Sequence, residues 1–343
     1  MRASSAPGVV LVALALAAGL VGGGCSGDDG GGASADAGPG GADAAGDPTC
    51  SPTGARAQAP EVFVGPTGLE ARLLAAIGSA TTSLDIMMYL FTLDQLADAV
   101  IAAHGRGVAV RVLLDPEHAG NVDTRAALMA AGVPTRNVSS LYEFAHAKYL
   151  VIDGDEAIIM SANFAFTSID SERNYGVIDR DPDDVADLRA IFDGDWGGTA
   201  ADLSCTRLVV SPTNARTRIT GLVEGARATL DLEVIYLAEP TVRAAVIAAH
   251  QRGVAVRVIL ADPGDYPDNT PVVTELRAAG LEVKLARSFD IHAKLIVADG
   301  VYLVGSQNMS TTSLTRNREV GVMLTDAPTI ASQFTSDWAA ASN

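Results

Sequence analysis

The chain has 343 residues, 48% of them hydrophobic, and a formal net charge of −17. That length and apolar content provide for packed cores in two domains or one large duplicated unit, and exclude a chain that is disordered throughout. The acidic balance works against nucleic-acid binding, which draws its affinity from Lys and Arg neutralising phosphates; phosphate chemistry here requires a locally positive pocket.

The chain begins "MRASSAPGVVLVALALAAGLVGGGC", with one Arg and an apolar run from about Gly8 to Val21. The run falls short of the ~20 residues that span a bilayer and has the layout of an export signal, residues 1–24. The stretch also resembles a bacterial lipoprotein signal, which implies acylation of Cys25 and a mature protein held at a membrane surface, periplasmic or outward-facing. The three glycines before Cys25 depart from that family's usual aliphatic box, and plain secretion is the alternative. Residues 25–60 are rich in Gly, Ala, Asp and Pro without apolar periodicity, and read as a disordered tether. In an oxidising compartment Cys50 and Cys205 fit a disulfide or two separate thiols, and the cysteines lack metal-ligand spacing.

Beyond residue 60 the predicted elements alternate. "SLDIMMYLF" from Ser83 reads as a strand, "LDQLADAVIAAHGRG" as a helix ending at Gly, "VAVRVLLD" as a buried strand and "VDTRAALMAAGV" as a second helix. "HAKYLVID", "EAIIMS" and "RNYGVID" follow as strands. The pattern then recurs: "VIAAHGRGVAVRVLLDP" starts at Val100 and "VIAAHQRGVAVRVILADP" at Val246, an offset of 146 that also relates Gly65 to Ser211, Ser83 to Thr229 and His146 to His292. A register constant over so long a stretch marks an internal duplication. The expected fold is α/β: two pseudo-symmetric lobes, residues 61–205 and 206–343, each a mixed sheet flanked by helices.

The repeated string carries the chemistry. In a strand, residues i and i+2 share a face, so His146 projects with Lys148, and His292 with Lys294. An imidazole beside an ammonium calls for an anion between them, and a phosphate supplies one. Ser161 and Asn163, with Ser306 and Asn308, add groups able to hydrogen-bond phosphoryl oxygens. These residues resemble the phospholipase D superfamily, whose signature H-x-K-x4-D followed by G-S-x-N is matched by His146, Lys148, Asp153, Ser161 and Asn163, and again by His292, Lys294, Asp299, Gly305, Ser306 and Asn308. The resemblance implies a phosphodiesterase in which one His attacks phosphorus and the other protonates the leaving oxygen, with no metal or other cofactor. An in-line displacement needs a group on each side of phosphorus, which gives the duplication a chemical reason.

The copies differ. The family places a carboxylate downstream to hold each His; the second copy has Glu319 in "NRE", whereas the equivalent "ERN" puts Asn174 there and Glu172 two residues earlier. Either Glu172 or Asn174 is then expected to serve His146, and the nucleophile stays unassigned. Met160 also replaces the Gly before Ser161. Asp153 and Asp299 read as structural groups near strand ends, and His104 and His250 as helix C-terminal residues favoured by the helix dipole. His118 has no counterpart and reads as a loop residue. Trp196 and Trp338 read as repeated packing.

The expected substrate is a phospholipid at a membrane surface, with a DNA or RNA phosphodiester less favoured by charge. A phosphatidyltransferase of cardiolipin-synthase kind is a further alternative, opposed by the lack of membrane-spanning segments. A non-enzymatic phosphate-ligand binder would keep the lysines without requiring both histidines. The duplication makes a monomer sufficient for one site.

Overall fold

The computed structural model describes residues 50–343. The expected export signal, the expected acylation site at Cys25 and the expected tether as far as residue 49 lie outside the described residues.

The first lobe runs β1 (Glu61–Gly65), α1 (Leu69–Ser79), β2 (Ser83–Met88), α2 (Asp94–Gly105), β3 (Ala109–Leu114), α3 (Val122–Ala130), β4 (Thr135–Asn137), β5 (Tyr149–Ile152), β6 (Glu156–Met160), α4 (Phe166–Asp170), β7 (Glu172–Asp179) and α5 (Pro182–Gly197). The second repeats it as β8 (Val209–Ser211), α6 (Ala215–Gly225), β9 (Thr229–Val234), α7 (Pro240–Gln251), β10 (Ala255–Ala261), α8 (Asn269–Ala278), β11 (Glu282–Ala286), β12 (Asp290–Ile291), β13 (Lys294–Ala298), β14 (Val301–Gly305), α9 (Thr311–Thr315), β15 (Glu319–Leu324) and α10 (Pro328–Ala340). The sheets have one topology, β1-β7-β6-β5-β2-β3-β4 and β8-β15-β14-β13-β9-β10-β11. Each is mixed: β2, β3 and β4 run parallel, as do β9, β10 and β11, β12 of the second lobe joins β7 of the first in parallel, and the remaining pairs are antiparallel.

The pattern of each element states where it goes. On α1, Leu69, Leu73 and Ile77 recur at helical spacing and are its buried residues. β2 is buried almost throughout, as a strand covered on both faces must be. The outer faces of the sheets pack under their own helices in two separate cores. The inner faces share a third, where Tyr149, Ile159 and Val177 of one sheet join Leu295, Val304 and Val322 of the other, with Phe192 and Phe334 from the terminal helices. Trp196 stacks on Phe192 and Trp338 on Phe334, the repeated packing expected of them.

The lobes are stitched in crossed fashion. Arg318 of the second lobe pairs with Asp195 of the first at 2.8 Å, and Arg173 of the first with Asp337 of the second at 2.8 Å. Buried pairs of this kind add little net stability but penalise any misdocked arrangement that strands one partner.

The tether ends earlier than residue 60. Cys50 forms a disulfide with Cys205, Arg56 pairs with Asp184 at 2.6 Å, and the Ala57 N–H donates to Asp181 at 2.7 Å. Arg56 also donates to the Met323 carbonyl of the second lobe at 3.0 Å. Polar groups and a covalent bond hold this arm, so apolar periodicity carries no sign of it.

Candidate active site

The strands β5 and β13 begin later than the repeated string does, because the main chain at each His leaves its own sheet to bond the other lobe. The His146 N–H donates to the Arg318 carbonyl and the His292 N–H to the Arg173 carbonyl, both at 3.0 Å. Those acceptors immediately precede Glu319 and Asn174, so the crossed backbone pairing delivers each of these side chains to the opposite lobe's imidazole. His146 Nδ1 meets Glu319 Oε2 at 2.8 Å. His292 Nδ1 meets Asn174 Oδ1 at 3.1 Å, with Glu172 Oε2 behind at 3.7 Å.

This corrects the expectation that Glu172 or Asn174 serves His146: both face His292, and His146 takes its carboxylate from across the interface. The swapped sequence therefore affects the second histidine. Ser313 and Asn317 donate to Glu319 Oε1 at 2.6 and 3.1 Å. In the first lobe Ser168 donates to Glu172 at 2.6 Å. The Asn174 amide nitrogen is occupied by the Ser168 and Glu172 carbonyls at 3.2 and 3.3 Å, which fixes its oxygen toward His292. Each imidazole thus donates from Nδ1 and keeps Nε2 for chemistry.

Ser161 and Ser306 were expected on phosphoryl oxygens, and both instead brace the partner strands. Ser161 Oγ donates to Asn174 Oδ1 at 2.7 Å, and Ser306 Oγ accepts from the Val320 N–H at 3.1 Å. Asn163 and Asn308 each hold a buried Oδ1 without a protein partner among the described residues. Lys148 and Lys294 fold back so that Nζ donates to the carbonyl of its own histidine, at 2.5 and 2.8 Å. Asp153 and Asp299 are structural, as read. Both occupy positive-φ turns, and their carboxylates accept main-chain N–H groups of Thr81, Thr82 and Ser83, and of Arg227, Ala228 and Thr229. His104 and His250 lie in the last turns of α2 and α7.

Tyr89 escaped the sequence reading. It follows β2, its ring lies 4.6 Å from that of His146, and the Lys148 ammonium sits 4.9 Å from its centroid. Its only signal was an aromatic residue at the C-terminal end of a strand that closes the site. His118 stands edge-on to it at 5.0 Å.

The electrostatics are unequal. Burial lowers His146 below the usual imidazole value, with Glu319 pulling the other way. His292 is lowered well below that value by burial, then by Lys294, Lys148 and His146. Burial lowers Lys148 strongly and brings Lys294 to about 7. Glu319 stays low despite its burial because His146 and Lys148 favour its charge. A phosphodiester anion between the lysines would restore charge to both. Among the described residues no group of His, Cys, Asp and Glu is arranged to hold a metal ion.

A duplicated α/β body whose halves present matched His-x-Lys segments to one centre defines the phospholipase D class of fold. The profile of the family described as "Cardiolipin synthase, PLD-like domain" matches residues 73–196 and again 219–340, and the chain belongs to that family. It is 30% identical over 122 residues to the mitochondrial cardiolipin hydrolase of Danio rerio, covering 35% of this chain and 54% of that protein. It is 32% identical over 108 residues to phospholipase D Y of Dictyostelium discoideum, covering 28% and 24%. The chain thus spans about half the length of the zebrafish relative. In fold it resembles the phosphatidylserine synthase of Haemophilus influenzae, with a TM-score of 0.63 at 13% identity over 80% of this chain and 85% of that one.

Proposed function

We propose that the protein is a phospholipase D-type phosphodiesterase that hydrolyses phospholipid headgroup esters without a metal ion, through a phosphohistidine on His146. The observation that carries the assignment is the unequal support of the imidazoles. Attack by His146 Nε2 turns its ring into a cationic phosphoimidazolium, and Glu319, 2.8 Å from Nδ1, is the charge that stabilises it. His292 faces a neutral amide, and its lowered affinity for protons makes it a ready donor once protonated. The P–O bond to the headgroup breaks as His292 Nε2–H protonates the leaving oxygen. Water then gives its proton to His292 and attacks phosphorus, the P–N bond breaks, and phosphatidate leaves. Lys148 and Lys294 offset the charge on the equatorial oxygens, with Asn163 and Asn308 beside them.

Lipid is favoured over nucleic acid by the net charge of −17 and by two exposed apolar side chains on segments next to the site. Leu141, in the loop leading to His146, is 71% exposed, and Phe166, three residues after Asn163, is 67% exposed. Acylation at Cys25 on an exported chain would bring that face to a membrane; among the described residues no helix is long and apolar enough to cross one.

The test uses protein lacking residues 1–24, in EDTA, on labelled phosphatidylcholine, phosphatidylglycerol and cardiolipin beside plasmid and single-stranded DNA. Headgroup release with phosphatidate formation is expected. DNA cutting without lipid turnover overturns the reading.

A further inference from the structure

The two histidines look onto different surroundings. On the His146 side, Tyr89 already has the Lys148 ammonium over its ring. In the second lobe, the corner that corresponds to that of Tyr89 and His118 carries Tyr236 and Tyr266, half-buried, edge to face at 5.4 Å with an interplanar angle of 81°. No cation lies over either ring among the described residues, although Tyr and Trp rings elsewhere in the protein hold Lys or Arg.

The corner is built. Asn269, fully buried, donates to the carbonyls of Ile235, next to Tyr236, and of Ala261 at 2.7 and 3.0 Å, and its N–H donates to the Tyr266 carbonyl at 3.0 Å. It thereby ties both tyrosine-bearing loops to the ends of β9 and β10. Its counterpart Asn121 makes the equivalent carbonyl bonds and also accepts the Phe91 N–H at 2.9 Å, whereas Asn269 Oδ1 is a buried acceptor without a partner among the described residues. Carboxylates complete the corner. Asp290 pairs with Glu172 across β12 and β7, and Glu172 Oε2 lies 3.7 Å from His292 Nδ1. Burial and the fields of Glu172, Asp265 and Asp290 raise the Tyr266 hydroxyl.

We infer that Tyr236, Tyr266, Glu172 and Asp290 form a leaving-group subsite that takes an ammonium alcohol, so that the preferred substrates carry choline or ethanolamine. The inference rests on the phospholipid reading above, in which the group leaving from phosphorus is the one His292 protonates. That group must lie on the His292 side, and there two aromatic rings without a cation over them among the described residues meet the carboxylates of Glu172 and Asp290. An ammonium at such a ring is attracted by its quadrupole, and the carboxylates reinforce the attraction. An anionic or neutral headgroup finds no donor of matching charge.

The test compares kcat/KM on mixed micelles of phosphatidylcholine, phosphatidylethanolamine, phosphatidylglycerol and cardiolipin, for the wild type, Tyr266→Leu and Asp290→Asn. Bis(p-nitrophenyl) phosphate, which has no ammonium, serves as the reference diester, and choline and glycerol are tried as inhibitors of its turnover. Wild type is expected to prefer the ammonium lipids by about tenfold or more. Each variant should lose most of that preference while turning over the aryl diester within about twofold of wild type, and choline but not glycerol should compete. Preference for phosphatidylglycerol or cardiolipin, or equal losses on all substrates, overturns the subsite and leaves the phospholipase reading intact. If no lipid is cleaved but choline still competes and Tyr266→Leu abolishes the competition, the subsite stands and the phospholipase reading falls. With neither lipid turnover nor competition, both fall.

Discussion

His146 and His292 arise from one repeated string, yet their second nitrogens meet different chemistry: a buried carboxylate for the first, an amide with a carboxylate behind it for the second. On the mechanism proposed above, the same topology twice over provides a nucleophile that tolerates becoming a cation and an acid that readily gives its proton away. Duplication supplies two imidazoles, and exchange of residues 172 and 174 relative to 317 and 319 makes them unlike.

The largest effect should come from His146→Ala, which removes the proposed nucleophile and is expected to cost roughly 10⁴–10⁶-fold in kcat on any diester. His292→Ala should cost a similar factor on lipids but far less in the first step on bis(p-nitrophenyl) phosphate, whose phenolate leaves without a proton. A trapped phosphohistidine at residue 146 in that variant is the expected signature, and trapping at 292 in His146→Ala would reverse the roles. Glu319→Gln comes next, at about 10²–10⁴-fold, because an amide can donate to Nδ1 and turn Nε2 into an N–H that cannot attack.

The pH profile sharpens the same contrast. His146 must be neutral to attack, and a value lowered from 6.5 places its acidic limb below 6.5. His292 must be protonated to donate, and a value lowered well below 6.5 makes lipid turnover fall as pH rises toward neutrality. For the aryl diester that fall in kcat should disappear. Lys294, at about 7, still loses charge there, so KM for both substrates should rise through neutral pH. In Asn174→Asp a carboxylate beside Nδ1 favours the imidazolium, and the alkaline limb on lipid should move upward by about one pH unit. An unchanged profile would separate His292 from the proton donor.

The smallest catalytic effect belongs to the arm. Cys50→Ser with Cys205→Ser opens a link across 155 residues of sequence. It should lower unfolding free energy by about 2–5 kcal/mol in denaturant titration while leaving turnover at 25 °C nearly unchanged.

The constant offset and strand–helix alternation made the duplicated fold legible, since apolar periodicity reports local burial directly. The His-x-Lys pairs and the structural roles of Asp153 and Asp299 were legible for the same reason. The crossing was not. Glu319 lies 173 residues from His146, and a pattern within one repeat carries no record of which copy's imidazole its acid will meet. Ser161 and Ser306 misled because a hydroxyl suits a phosphoryl oxygen and a neighbouring strand equally well. Residues 50–60 are anchored by Arg56, Ala57 and Cys50, groups whose partners the sequence leaves unnamed.

The crossed bond between His146 and Glu319 also sets an order of events. During synthesis the first repeat emerges with its imidazole, lysine and strand complete, but the carboxylate that arms it is encoded at residue 319 of 343. On the proposed mechanism a half-made chain is expected to be chemically quiet, and so is a finished one whose lobes have parted, because a single separation releases both histidines from their holders together. If the proposed mechanism holds, reactivity reports assembly, because the cutting edge forms only when the two halves close on each other.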